Sequence, residues 1–378
     1  MGLSKCKLGK YIELREITNV DYSFDMESVR GVNNLKQLMP TKADLNGRDL
    51  SKFQIVYPDE FVFNHRTSRN GSKFSIAYND SNKPVICTED YVVFRIREEA
   101  RTELSSEWLY MFFNRAEFDR YVITNSWGSS TEFYNWEDLC EVEVELPLLC
   151  VQQKYVDIYN AMVANQQAYE RGLEDLKLTC DGYIEDLRRK MPCEKIGKYI
   201  ELTELTNENS QYGIDDVMGI SIEKKLIRTK ADMKDVNLAP YLLIQPNEFA
   251  YVTVTSRNGG KISIALNDTG RTHICSSSYV VFRSKNIEEL LPQYLMLFLS
   301  RNEFNRYARF RSWGSARETF NWEDMCDIQI PIPDIEVQKS IAKMYTVYNR
   351  RKKINEQLKA QIKNICPILI RGSLEEGK

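Results

Sequence analysis

Residues Ser126–Asp138 read SWGSSTEFYNWED, and residues Ser312–Asp324 read SWGSARETFNWED. Two tryptophans, a glycine and an Asn–Trp–acid triplet recur at matched spacing, which chance does not produce. The match continues outward from this string. KLGKYIELREITN from Lys7 pairs with KIGKYIELTELTN from Lys195, an offset of 188. The offset holds without a gap through TKAD (Thr41, Thr229), TSRNG (Thr67, Thr255), SIAxND (Ser75, Ser263) and YVVFR (Tyr91, Tyr279). About 40 of the 89 positions from 7 to 95 are identical in the second copy. Two residues then drop out, and RxEFxRY (Arg115, Arg301) and the Trp–Gly string follow at an offset of 186. One whole module has been duplicated. A solenoid would need shorter and more numerous units.

Each module opens with a stretch of mixed pattern, 1–150 in the first copy and 194–335 in the second. FVFNHRTSRNGSKFSIAY predicts two strands joined at Asn70–Gly71, because Asn-Gly suits the left-handed backbone of a tight hairpin. YVVFR predicts a buried strand and EVEVELP a final one. SSEWLYMFFNRAEFDRYV predicts one amphipathic helix with Leu109, Phe112, Phe113 and Ala116 on its inner face and Ser105 or Ser106 as cap. The fold class expected is α+β: two similar globular domains separated by two long helices, the helices packed as an antiparallel coiled coil with an internal pseudo-twofold.

The helices are expected at 151–193 and 336–371, with 372–378 a flexible tail. Val151, Tyr155, Ile158, Met162, Tyr169, Leu176, Cys180, Tyr183 and Leu187 keep a 4–3 alternation in the first. Val337, Ile341, Met344, Tyr348, Leu358, Ile362, Ile365 and Leu369 do so in the second. Such heptads pack helix on helix. The expected helix–helix contacts are Tyr155, Ile158, Met162, Leu176, Ile341, Met344, Leu358 and Ile362. Both seams turn polar midway, at Asn165 and at Arg351, and a polar seam position fixes register. About 37 residues at 1.5 Å each make a rod of roughly 55 Å.

Composition removes several classes. No apolar run approaches the roughly 20 residues that span a bilayer, and the start, MGLSKCKLGKYIEL, has no signal-peptide pattern. The nine Cys are scattered singly, no C-x-x-C pair exists and there are two His, which argues against a zinc site and a disulfide framework. A cytoplasmic location is expected. Gly2 and Gly9 in GLSKCKLGK stand too far apart for a phosphate loop. No Pro-Pro pair exists, so the chain has no PPY-type adenine-methyltransferase motif. His65 aligns with Thr253, so no recurring catalytic His exists. A net charge of −3 disfavours a protein that grips nucleic acid by its own basic surface alone.

Two similar readers joined by a rigid rod suit a polymer with its own dyad, and duplex DNA is one. The order globule, Pro-rich exit, VQ and long helix, occurring twice as LPLLCVQQ at Leu146 and IPIPDIEVQK at Ile330, resembles the DNA-specificity subunit of Type I restriction–modification systems. The resemblance covers essentially the whole chain. The first exit departs from it, with Leu148–Cys150 where the second has Asp334–Glu336. It implies a chain that does no chemistry, with no metal and no cofactor of its own. It implies partners: double-stranded DNA, two adenine-methyltransferase subunits and two restriction (motor-nuclease) subunits. S-adenosylmethionine, and ATP with Mg for restriction, would be bound by those subunits. Each globule would be a target-recognition domain reading one half of a split site.

The expected DNA contacts are Ser68, Arg69, Asn70 and Lys73, with Ser256, Arg257, Asn258 and Lys261 in the second copy. A two-stranded ribbon fits the major groove, where Arg pairs with guanine and Asn with adenine, and either also reaches phosphate. The same residues equally suit a solvated hairpin tip kept for its turn. The stretch before each Trp–Gly differs, and Arg309, Arg311 and Arg317 give the second copy three cations that the first lacks. These read as a DNA-facing loop or as salt-bridged arginines at a domain edge. Trp127 and Trp313, beside glycine, join the DNA-facing set, whereas Trp136 and Trp322 are expected as core anchors. Two other readings stay open: a duplicated metal-dependent nuclease using Glu137–Asp138, Glu323–Asp324, Asp80 and Asp268, and a coiled-coil scaffold that binds protein.

Overall fold

The computed structural model describes residues 5–33, 35–41, 43–67, 73–129, 131–229, 231–255, 261–314 and 317–377. The chain divides into two units, Met1–Ala168 with Asn355–Lys378, and Tyr169–Ile354.

In the first unit Ile12–Arg15, Tyr91–Ile96, Phe61–Asn64 and Ile76–Tyr78 form a four-stranded antiparallel sheet in that order, with Leu14 opposite Phe94 and Phe61 opposite both Phe94 and Tyr78. Successive side chains on a strand point to opposite faces, so Phe61 and Phe63 share one. That face carries an aromatic core: Phe61 stacks on Phe94 at 5.0 Å and meets Phe113 edge-on at 5.8 Å. The helices α1 (Ser106–Phe113) and α2 (Ala116–Thr124) cover it. Lys5–Lys7 pairs with Glu143–Glu145, so the globule starts and ends side by side. Two small hairpins complete the unit, Arg30–Val32 with Leu38–Pro40 and Gln54–Val56 with Val85–Cys87.

The second unit repeats the plan. Ile200–Leu202, Tyr279–Ser284, Phe249–Val252 and Ile264–Leu266 form its sheet. Phe249 stacks on Phe282 at 4.8 Å under α5 (Pro292–Leu299) and α6 (Asn302–Phe310).

The single helix expected over 105–122 is two helices. Arg115 is extended between them, its Nε donating to the Phe112 carbonyl at 3.0 Å. The last carbonyls of α1 thereby find partners outside the helix and need no further turn. Ser105 is the cap, accepting from Trp108 N at 3.4 Å. The two strands expected around Asn70 exist and pair, but Asn64 and Ile76 bound a connection longer than a two-residue turn.

The long helices run α4 from Leu149 to Lys190 and α8 from Ile335 to Glu376. Residues 372–376, expected as tail, are therefore helical, and Ser373 is buried where it accepts from Trp108 Nε1 at 3.1 Å. In the first unit the Tyr155 hydroxyl meets Glu376 at 3.1 Å and Gln166 meets Asn355 at 3.0 Å, so the two helices run antiparallel. In the second unit Gly172 lies by Arg351, while Lys177 and Asp181 face Tyr348, again antiparallel.

The buried stripe is offset from the expected heptads. Val156 and Ile184 are fully buried, whereas Ile158 and Tyr183 are 41% and 50% exposed. Met162, Leu176, Met344, Leu358 and Ile362 are half-buried, as is Tyr155, and Ile341 is buried. The cause is a second packing partner. The start of α4 and the end of α8 join the aromatic core of the first unit through Val156, Cys366, Leu369 and Ile370. The end of α4 and the start of α8 do the same in the second through Cys180, Ile184 and Ile341. A helix serving a globule and a helix at once buries a wider stripe than an a/d seam. The polar position is accordingly Gln166 with Asn355; Asn165 and Arg351 are exposed.

The VQ of each exit holds globule to helix. Gln152 is fully buried, accepts from Ser105 N at 2.9 Å and donates to Glu103 O and Pro147 O at 2.7 and 2.8 Å. Gln338 repeats this with Leu291 N, Glu289 O and Pro333 O at 2.9, 2.7 and 2.9 Å.

Candidate nucleic-acid interface

The recurring string folds as a short excursion between α2 and α3 (Trp136–Cys140). Ser126 closes α2 by donating its hydroxyl to Val122 O at 2.7 Å. Trp127 and Phe133 then exchange both backbone hydrogen bonds, each at 3.0 Å, pinching the loop into a ring. Gly128 sits at φ 154°, and a Cβ there would lie 1.9 Å from Thr131 O, so the ring closes only on glycine. Tyr134 is buried, and Asn135 caps α3, its N–H meeting the Asp138 carboxylate at 2.8 Å. Trp136 packs on Phe94 at 5.6 Å as the expected anchor.

The second copy repeats these contacts. Ser312 donates to Ala308 O, Trp313 exchanges with Thr319 at 3.2 and 3.0 Å, Gly314 has φ 144°, and Trp322 packs on Phe282 at 5.5 Å. Asp138 is thus occupied as a capping group, and Asp324 lies 3.9 Å from Arg311. Among the described residues no three His, Cys, Asp or Glu side chains gather as metal ligands do.

The residues that lead into each TSRNG segment lie against the Trp–Gly ring of their own module. After Asn64 the chain leaves its strand partner and joins the Trp–Gly ring: Tyr134 N donates to His65 O at 2.9 Å, Arg66 bridges Phe133, and Thr67 N donates to Glu132 O at 3.0 Å. In the second copy Phe320 N donates to Thr253 O at 2.8 Å and Thr255 N to Glu318 O at 2.9 Å. The TSRNG segment of each module therefore springs from the rim of its own Trp–Gly ring. Ser68, Arg69 and Asn70, and Ser256, Arg257 and Asn258, lie outside the described residues. Lys73 and Lys261 re-enter beside the hairpin turns, Lys261 at 3.5 Å from Glu223.

Trp127 and Trp313 stand out from this rim, 72% and 69% exposed, their backbones clamped and their indoles in solvent. Arg309 pairs with Glu318, and Arg311 lies 5.7 Å over the Tyr307 ring as well as near Asp324. Each of these two arginines thus has an acidic neighbour while its side chain stays 46% and 42% exposed, and Arg317 is exposed. Sequence reasoning missed Phe310, 76% exposed between Arg309 and Arg311; its signal was an aromatic at a helix end off the apolar face. It also missed Arg66, paired with Asp90 at 2.9 Å on the first rim. His65 titrates below the usual imidazole range, through burial and then the neighbouring Arg66.

Residues 202–364 match the family model described as Type I restriction modification DNA specificity domain. No curated protein matches. Over 100% of this chain and 96% of the other, the fold is similar to the crystal structure of the Type I restriction–modification S subunit from M. genitalium, at 12% identity and a TM-score of 0.53. A structure on complex assembly and conformational transition of the type I R-M system aligns over 98% of both chains, at 15% identity and a TM-score of 0.47. The HsdS subunit from Thermoanaerobacter tengcongensis aligns over 100% of this chain and 97% of its own, at 14% identity and a TM-score of 0.41. The family match covers most of the second module and the greater part of α8, and the first module is an internal copy of the second in sequence.

Proposed function

We propose that each module reads one half of a bipartite DNA site through the rim where its TSRNG segment and its Trp–Gly ring meet. The observation that carries this is that Thr67 and Thr255, which open the TSRNG segments, bond to the Trp–Gly ring of their own module, on a chain whose residues 202–364 match a DNA specificity domain. Arg and Asn on the TSRNG segment suit base edges or phosphate. An exposed, backbone-clamped indole suits stacking against a nucleotide, a contact worth about 1–3 kcal/mol. The chain is a non-catalytic recognition subunit. Adenine methyltransferase and restriction subunits supply the chemistry, with S-adenosylmethionine and ATP on their side, in the cytoplasm. The long helices set the spacer between half-sites.

Because the two modules are so alike, their half-sites are related and inverted. The test is expression of the chain with its adenine methyltransferase in a methylation-free host, followed by mapping of methylated adenines. The expected result is a split, nearly palindromic motif that disappears when either subunit is omitted. Methylation at an unsplit motif, or without this chain, removes the reading.

A further inference from the structure

The two modules differ at a buried point where a hairpin turn meets the helix pair. In the first, Lys36 sits at the turn of the hairpin Arg30–Val32/Leu38–Pro40 with φ 62°. Its amine enters the helix layer, donates to the Phe113 carbonyl at the end of α1 and lies 2.6 Å from the Asp119 carboxylate. The same carboxylate oxygen accepts Phe74 N at 3.1 Å. Asp119 thus ties three things together: the hairpin turn, the helix pair and the return of the TSRNG segment just past Lys73.

In the second module Lys224 has the same left-handed backbone, φ 59°, and its amine caps the Leu299 carbonyl 5.0 Å from the Phe304 ring. Asn305 stands where Asp119 does, and its buried Oδ1 meets no hydrogen-bond partner among the described residues. The charged groups around this amine are Lys261 on the returning segment and Glu223 on the turn, the latter shared with Lys261 and with Lys352 of α8, each at 3.5 Å. Glu223 pairs with those lysines, and among the described residues no ion pair joins a carboxylate to the buried amine.

We propose that Asp119 is a positioning residue that fixes the DNA-reading segment of the first module, and that its replacement by Asn305 makes the corresponding clamp of the second module proton-sensitive. The functional meaning rests on the reading above; the clamp itself does not. Burial, and then Lys261, hold the Lys224 ammonium down at about 7. Lys36 is also lowered by burial, but Asp119 opposes that shift. An open turn returns Lys224 to the usual lysine range, so opening takes up a proton between those two values. Opening therefore becomes easier as pH falls from about 9 toward 7 and levels off below, by about tenfold per pH unit at most.

Hydrogen–deuterium exchange of the full-length chain, corrected for intrinsic rates, reads this without DNA. Between pH 8.5 and 6.5 the peptide spanning the Ile220–Leu226 turn should lose protection by about tenfold, while that spanning Val32–Leu38 stays level. Asn305→Asp should abolish the response, and Asp119→Asn should create it in the first module. Equal pH responses of the two turns, or an Asn305→Asp variant that responds like the parent, would overturn the proposal. Asn305→Asp adds a partner to a folded site, so the test survives a misfolded Asp119→Asn. Glu248 also lacks the arginine that its counterpart Glu60 has in Arg15, and burial raises its pKa, an effect of opposite sign. A global melt would mix the two; the exchange of one turn does not. If the clamp responds as stated while DNA mapping fails, the clamp stands and only its role falls.

Discussion

Gln166 Nε2 donates to Asn355 Oδ1 at 3.0 Å, joining α4 and α8 in the first unit through a buried pair of amides. Internal repetition does not reproduce it, since Gln166 is matched by Lys352 and Asn355 by Tyr169. This buried amide pair favours one register, because a slip breaks the Gln166–Asn355 hydrogen bond. Asn355→Leu should cost about 1–3 kcal/mol by removing the acceptor of the buried Gln166 amide, and the Gln166→Leu/Asn355→Leu double variant should cost less than the sum of the two single variants. Urea unfolding of the three variants gives the coupling; additive losses would dismiss the pair as the register device.

Gln152 and Gln338 each satisfy three backbone groups between a globule and its helix. Replacing Gln338 by Leu keeps the volume but leaves a buried N–H and two carbonyls unpaired, a loss of about 2–4 kcal/mol. Denaturant midpoints measure it, and Gln152→Leu should match in the first unit. A change near zero would mean that water replaces the amide.

Trp127→Ala and Trp313→Ala remove exposed side chains, so each should leave stability within about 0.5 kcal/mol. DNA affinity should nonetheless fall by about 1–3 kcal/mol for each variant. Fluorescence anisotropy with DNA carrying the mapped motif, in the assembled methyltransferase complex, reads it. Unchanged affinity in both variants would take the indoles out of the interface. Arg317→Ala should also lower the slope of log affinity against log salt by about 1 if it meets a phosphate.

An insertion of four residues in the solvent-facing run 177–179 should lengthen α4 by about 6 Å. Methylation mapping should then show a longer preferred spacer between unchanged half-sites. A changed half-site with an unchanged spacer would assign the helix no part in measuring.

The duplication, the paired strands, the core tryptophans Trp136 and Trp322, and the antiparallel long helices were legible in the string, because each rests on local period or on internal repetition. The stripe of α4 was displaced because its periodicity reports burial without saying against what, and Val156 answers to the aromatic core as well as to a neighbouring helix. Similarly, Arg309 and Arg311 looked like available cations until folding set Glu318 and Asp324 beside them.

Sequence alone established that there are two similar modules and that a Trp–Gly string marks both. Only the tertiary structure decided that Thr67 and Thr255, at the start of the TSRNG segments, meet this string, because the contact joins backbone N–H and carbonyl groups, which leave no trace in residue identity. It alone also separated Asp119 from Asn305 in consequence. A one-atom change in the side chain acquires meaning only where folding has buried a lysine beside it.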